Sequence, residues 1–346
     1  MIAKTPHALP FALPAPLTAF IAANPIASPV IAAAAFVAVV LAIKYVLDKP
    51  SRAYNNNVGE EYDRWTEEGI LEYYWGEHIH LGVYTPDELA RGYLKKDFIA
   101  AKVDFCDDML AFAGANAPKR ILDVGCGIGG TSRHLAALFP DAEVVGITLS
   151  PNQVMRATEL AKERGLSNVR FEVMNALEMT FPEGSFDLVW GCESGEHMPD
   201  KEAYVREMSK MCAPGGKVVV ACWCQREETE ANPLTEKDKS DLTFLYEEWA
   251  HPFFISKEEF GRLFGKAGLT SGLKVEDWTP QTIASWRHSI WVGVFDPWIV
   301  IWKGLTRGPW VWYMVVREIV TLERMHRAFA RGLMEYGMIT ATKGEA

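Results

Sequence analysis

Hydrophobic and polar positions divide the chain into three stretches. From Thr5 to Ile43 there is no Lys, Arg, Asp or Glu, and Val30 to Ile43 is an unbroken run of Ala, Val, Ile, Leu and Phe. Between Arg120 and Cys222, short apolar runs alternate with segments of helical period. The runs Arg120–Val124, Ala142–Thr148, Val169–Val173, Phe186–Trp190 and Lys217–Cys222 read as strands. Gly130–Phe139, Ser150–Arg164 and Lys201–Met211 read as the helices between them. Strands separated by helices of this length predict an α/β fold with a doubly wound, mainly parallel sheet. On either side, Glu60–Leu71, Asp87–Gly114, Glu227–Trp249, Ser256–Ala267 and Arg317–Tyr336 read as further helices. A short strand is expected at Met338–Thr342.

Counted from Ile26 to Leu47, the first stretch approaches the ~20 apolar residues that span a bilayer. It therefore predicts a membrane anchor helix over 26–47, preceded by an apolar arm over 1–25 and followed by a polar linker over 48–57. Lys44, Lys49 and Arg52 lie at or beyond its C-terminal end, against Lys4 before it. That asymmetry puts residues 58–346 on the cytosolic or stromal side as a single-pass protein. A cleaved targeting segment and a packed hydrophobic arm compete with the anchor. The first Arg is Arg52 and the only Ser before residue 50 is Ser28, which is a poor transit signal.

Composition narrows the partners. The 346 residues carry a net charge of −10 and no basic cluster, so no nucleic-acid partner is expected. The six cysteines show no CxxC spacing, so no metal site and no disulfide framework is expected. Seven of the twelve Trp fall between Trp278 and Trp312. They read as a lid over a long apolar substrate with contact to a bilayer surface, or as a well-packed cap. Oligomeric state is not readable.

The chemistry gathers at Ile121-Leu122-Asp123-Val124-Gly125-Cys126-Gly127-Ile128-Gly129-Gly130. Gly125, Gly127 and Gly129 stand where a strand passes into a helix, letting backbone approach a ligand. A phosphate loop of the Walker type is excluded because Gly129-Gly130-Thr131 lacks the lysine. A dinucleotide site would want an acid after the second strand, but Thr148-Leu149-Ser150 has none. Asp123, just before the glycines, would repel a pyrophosphate and suits a cofactor with a sulfonium and an amino-acid tail.

The strand, the GCGxGG turn, the Gly-Ile-Thr-Leu-Ser-Pro-Asn-Gln segment and the Pro-Gly-Gly before the fifth strand resemble the class I S-adenosylmethionine-dependent methyltransferases. The segments 69–82, Glu193-Ser194-Gly195-Glu196-His197-Met198-Pro199-Asp200 and Ser285-Trp286-Arg287-His288-Ser289-Ile290 resemble the tocopherol-pathway members of plants, algae and cyanobacteria. The resemblance covers roughly Tyr62 to Lys343. It implies a seven-stranded sheet with a helical cap formed by 58–115 and 225–335. It also implies methyl transfer to a ring carbon of a prenylated phenol or hydroquinone, on a plastid envelope or the endoplasmic reticulum.

By the same resemblance, Asp123, Gly125, Gly127, Gly129, Thr148, Leu149, Gln153, Asn175 and Ala176 would hold S-adenosylmethionine. Asn175 departs from the usual Asp, but an amide can still accept from an adenine amino group. Glu193, Glu196 and His197, past the fourth strand, lie where open parallel sheets bind ligands and are expected to take the acceptor's proton. A surface salt-bridged turn is the bland alternative for Glu196-His197. Trp75, His78, His80, Trp286 and His288 are expected to line the substrate or close over it, or simply to pack. A sterol, triterpene or indole alkaloid acceptor is the alternative within the enzyme class. A membrane-tethered scaffold that binds the cofactor without catalysis is the alternative outside it.

Overall fold

The computed structural model describes residues 27–52, 54, 59, 63 and 66–345. They fall into two units, Met1–Lys49 and Pro50–Ala346. The expected arm over 1–25 lies outside the described residues, as do parts of the linker and of the first predicted cap helix.

In the first unit, Ala27–Leu47 forms one helix, α1. The expected membrane span is not met: among the described residues, no helix is long and apolar enough to cross a membrane. The uninterrupted apolar run inside α1 is 30–43, a rise of about 21 Å against ~30 Å of hydrocarbon. Ser28 and Pro29 bound it on one side and Lys44 on the other.

The second unit is built on a seven-stranded sheet of order β3-β2-β1-β4-β5-β7-β6. Its strands are β1 Arg120–Val124, β2 Glu143–Thr148, β3 Val169–Val173, β4 Phe186–Cys192, β5 Cys212–Gln225, β6 Ser271–Asp277 and β7 Met334–Thr342. The first five pair in parallel, and β7 runs antiparallel between β5 and β6. Successive residues of a strand point to opposite faces. Ile121 accordingly joins one core with Val144, Trp190 and Val219, while Leu122 joins the other with Val145, Val189 and Val218.

The helices of this unit are α2 Ile70–Trp75, α3 Pro86–Arg91, α4 Phe98–Ala113, α5 Gly130–Leu138, α6 Pro151–Glu163, α7 Lys201–Met211, α8 Glu236–Glu248, α9 Lys257–Lys266, α10 Thr279–Phe295, α11 Trp298–Arg307 and α12 Trp310–Ala330. Their starts are written in the sequence. Ser150 caps α6 by accepting from the Gln153 N–H, with Pro151 in its first turn. Thr235 and Asp238 form a capping box on α8.

Three elements differ from expectation. β6 was unforeseen because Ser271–Asp277 is a largely exposed edge strand without apolar alternation. The last helix begins at Trp310 and ends at Ala330, so Tyr336 belongs to β7. The region 87–114 is two helices, parted by Gly92 at φ 97°. The sheet changes winding direction between β1 and β4, and the site opens at their carboxyl ends.

Candidate active site

A cleft runs across the carboxyl ends of β1, β2 and β4. One wall is the turn after β1. Gly125 and Cys126 both donate backbone N–H to the Ile147 carbonyl at 2.9 Å, which folds the turn back over β2. Gly125 has φ 84°, and a Cβ there would stand 2.4 Å from the Ser194 Cβ, so the turn packs directly on the segment after β4. Gly127 is different. Its φ is 55°, but nothing lies within 4 Å of where its Cβ would stand. That open side faces the cleft and leaves room for a ligand against bare backbone. Gly129 caps α5, packs under Phe171 and is not on the cleft wall.

Asp123 is buried in the floor and accepts from the Ser132 hydroxyl at 2.6 Å. Burial pushes its carboxyl up to about 6, against the pull of that hydrogen bond. The Thr148 hydroxyl donates to the Gln153 side-chain oxygen at 2.7 Å, which orients the Gln153 amide at the start of α6. Thr148, Leu149, Gln153, Asn175 and Ala176 all lie on the cleft wall. The Asn175 oxygen already accepts from the Leu177 N–H at 3.0 Å, so only its second lone pair is left for a ligand.

The opposite end holds the acidic cluster. Glu193 stands at φ 47°, a left-handed conformation that L-residues rarely hold and that marks stored strain. Its Oε1 accepts from the Leu81 N–H at 2.8 Å and from the Tyr336 hydroxyl at 2.7 Å. Burial pushes its carboxyl up to about 7, although these two bonds pull it down. Glu196 is fully buried behind the wall and does not line the cleft. One oxygen accepts from the Trp223 N–H at 3.2 Å and the other has no partner. Burial, and then the Glu193 charge, push it up to about 8. A surface salt-bridged turn is therefore excluded for Glu196. His197 lines the cleft, with its ring centroid 4.1 Å from that of His251. Burial holds His197 down to about 3, so its imidazole is neutral.

The cap contributes His78 and His80 to the cleft wall. Burial holds them at about 2 and about 3. His80 Nδ1–H donates to the Leu81 carbonyl at 2.8 Å, which leaves Nε2 as an acceptor. Cys106 Sγ lies 3.5 Å from that Nε2 and 3.7 Å from His78 Nδ1. These three donors lie within 4.8 Å of one another and are a set that could hold a metal ion. No metal site is expected from the sequence, since Cys106 sits on α4 and nothing in its spacing from the histidines announces the cluster.

The other cap residues sit elsewhere. Trp75 packs edge-on against Phe98, with the buried Lys102 ammonium 4.5 Å above its ring. Trp286 is fully buried and stacks on Trp249 at 5.6 Å. His288 Nδ1 bonds the Tyr84 hydroxyl at 2.7 Å. None of the three reaches the cleft wall. Tyr336, His251 and Lys102 were not anticipated. Tyr336 meets Glu193 from 143 residues away, through the pairing of β5 with β7. A buried lysine is costly unless solvated, and Lys102 donates to the Trp75 carbonyl at 2.6 Å.

The arrangement can seat an elongated cationic cofactor along β1 and β2, beside a proton-accepting end at β4. Comparison with known proteins agrees. A methyltransferase-domain family matches residues 121–216. The 2-methyl-6-phytyl-1,4-hydroquinone methyltransferase of Synechocystis sp. is 40% identical over 320 residues, covering 90% of this chain and 96% of that one. The chloroplastic tocopherol O-methyltransferase of Arabidopsis thaliana is 33% identical, covering 85% and 83%. Among solved structures, geranyl diphosphate C-methyltransferase from Streptomyces coelicolor A3(2), with S-adenosyl-L-homocysteine, shares the fold. Its TM-score is 0.62 at 21% identity, covering 84% of this chain and 99% of that one.

Proposed function

As the chain belongs to the S-adenosylmethionine-dependent methyltransferases of the tocopherol pathway, we propose that it methylates a ring carbon of a prenylated hydroquinone. The observation that carries the acceptor class is a carboxyl–imidazole pair, Glu193 and His197, facing the cleft beside the glycine turn. The carboxyl, pushed up to about 7 by burial, is a proton acceptor near neutral pH, whereas burial leaves the imidazole neutral and only weakly basic.

Asp123, the open backbone at Gly127, Thr148, Gln153 and Ala176 would hold the cofactor, which supplies an electrophilic methyl on a good leaving group. The chain's own residues then have two tasks. The first is to take the phenolic proton. Glu193 accepts it at its second oxygen, since Oε1 is held by Leu81 and Tyr336. Loss of that proton makes the ortho carbon electron-rich, the state in which it would accept a methyl from the bound cofactor. The second task is to remove the ring hydrogen so that aromaticity returns. That proton is strongly acidic, so the weakly basic His197 imidazole at the same wall suffices to accept it. Positioning the two reactants contributes the remaining acceleration.

The plant relatives are named as chloroplastic, which supports a plastid location for this chain too. The acceptor class is tested by incubating the protein with methyl-labelled S-adenosylmethionine and separate panels of prenylated hydroquinones, sterols and indole alkaloids. Label on a hydroquinone ring carbon supports the reading. Label confined to a sterol or alkaloid overturns it, and no label on any panel despite cofactor binding supports a scaffold.

A further inference from the structure

Three cap helices present an apolar surface that no other element among the described residues covers. On α11 the outward residues are Trp298, Ile301, Trp302 and Leu305, spaced i, i+3, i+4 and i+7. Trp298, Trp302 and Leu305 are 71, 67 and 68% exposed. The usual polarity of a surface helix is thus reversed, since this stripe normally faces a core. Phe295 at the end of α10 and Trp310 at the start of α12 extend the surface. Both α10 and α11 pack on α12, so the patch is continuous. Exposed apolar patches of this kind mark interaction sites.

Charge and composition select the occupant. Asp296, between Phe295 and Trp298, is held by the Tyr73 hydroxyl at 2.6 Å, and from Pro297 to Arg317 there is no Asp or Glu, in a chain of net charge −10. The cations there are Lys303, Arg307 and Arg317, and Arg317 is buried against Glu248. Arg307 is exposed, while Lys303 is half-buried with its ammonium donating to the Glu68 carbonyl; a second copy would bring these cations onto themselves, which opposes self-pairing. An anionic lipid headgroup layer meets them with opposite charge, and Trp favours that layer because its ring is apolar and its N–H polar.

We propose that the α10–α12 face docks on a bilayer surface containing anionic lipid, with α11 lying in the headgroup plane. At ten residues, α11 is about 15 Å long and lies on the membrane without crossing it. This stands on the surface alone and does not depend on which acceptor is methylated.

The test uses the full chain and vesicles of phosphatidylcholine alone or mixed in equal parts with phosphatidylglycerol. The wild type should float with the mixed vesicles, and brominated lipid should quench its tryptophan emission. The combined variant Trp298→Ser, Trp302→Ser, Leu305→Ser should lose about tenfold or more in partitioning, with S-adenosylmethionine affinity unchanged. Arg307→Glu should weaken binding to mixed vesicles by about fivefold, less so in high salt. Equal flotation of the serine variant, or no quenching of the wild type, overturns the proposal. So does a wild-type dimer, measured without vesicles, that the serine variant dissolves.

Discussion

Replacing Glu193 with Gln removes a negative charge but keeps an oxygen for the Leu81 N–H and the Tyr336 hydroxyl. The fold is therefore retained and the proton acceptor is lost. General-base removal lowers turnover by about 10²–10⁴-fold. In the wild type, kcat/KM should rise with pH through about 7, where the free-enzyme carboxyl ionises. The variant should show a low, flat profile over that range. Stability supplies an opposite-signed readout. A carboxyl raised from 4.5 to about 7 binds more protons folded than unfolded between those values. Its ionisation therefore subtracts stability as pH rises from about 4.5, and the full loss is reached above about 7. That loss is on the order of 2–3 kcal/mol, reduced by the group's partial exposure. The Gln variant lacks the penalty, so its stability advantage over the wild type should grow across this window in denaturant titrations. Turnover within threefold of wild type, with the pH limb unmoved, would refute the assignment of Glu193 as proton acceptor.

Other substitutions separate structure from ligand binding. Gly127→Ala fills open space, so cofactor affinity should fall about tenfold by calorimetry while a positive φ costs about 1 kcal/mol of stability. Gly125→Ala adds a 2.4 Å clash with Ser194 to the same strain and should destabilise by about 2–4 kcal/mol in thermal melts. Asp123→Asn should weaken cofactor binding by about tenfold, and wild-type affinity should decline as pH falls through about 6, where the carboxyl protonates. Arg317→Ala leaves Glu248 buried without its two charged bonds at 2.8 and 2.6 Å, so denaturant midpoints should report a loss of about 3–5 kcal/mol.

The parallel half of the fold is legible because local signals agree there. Arg120–Val124 carries an apolar core leading into the glycine turn and Val169–Val173 alternates apolar and charged residues, and their limits match the observed ones. The cofactor half of the site follows from the same stretch, because its residues are contiguous with those strands. What remained hidden is long-range. Tyr336 reaches Glu193 only because β7 inserts between β5 and β6, a pairing that no local period encodes. Glu196 reads as a turn residue in sequence, yet the fold buries it completely, which reverses its expected ionisation. In the cap, period distinguishes buried from exposed aromatic residues poorly. Trp286 and Trp302 lie on helices of similar composition, and one is fully buried while the other is 67% exposed.

The most direct test is product analysis. The protein, labelled S-adenosylmethionine and a lipid-quinol extract are incubated together, and the labelled product is identified by mass spectrometry and degradation of the ring. The account predicts label on a ring carbon ortho to a hydroxyl of a prenylated hydroquinone, abolished in Glu193→Gln while cofactor binding persists. Label on oxygen or nitrogen, or ring labelling that survives Glu193→Gln at full rate, would contradict it.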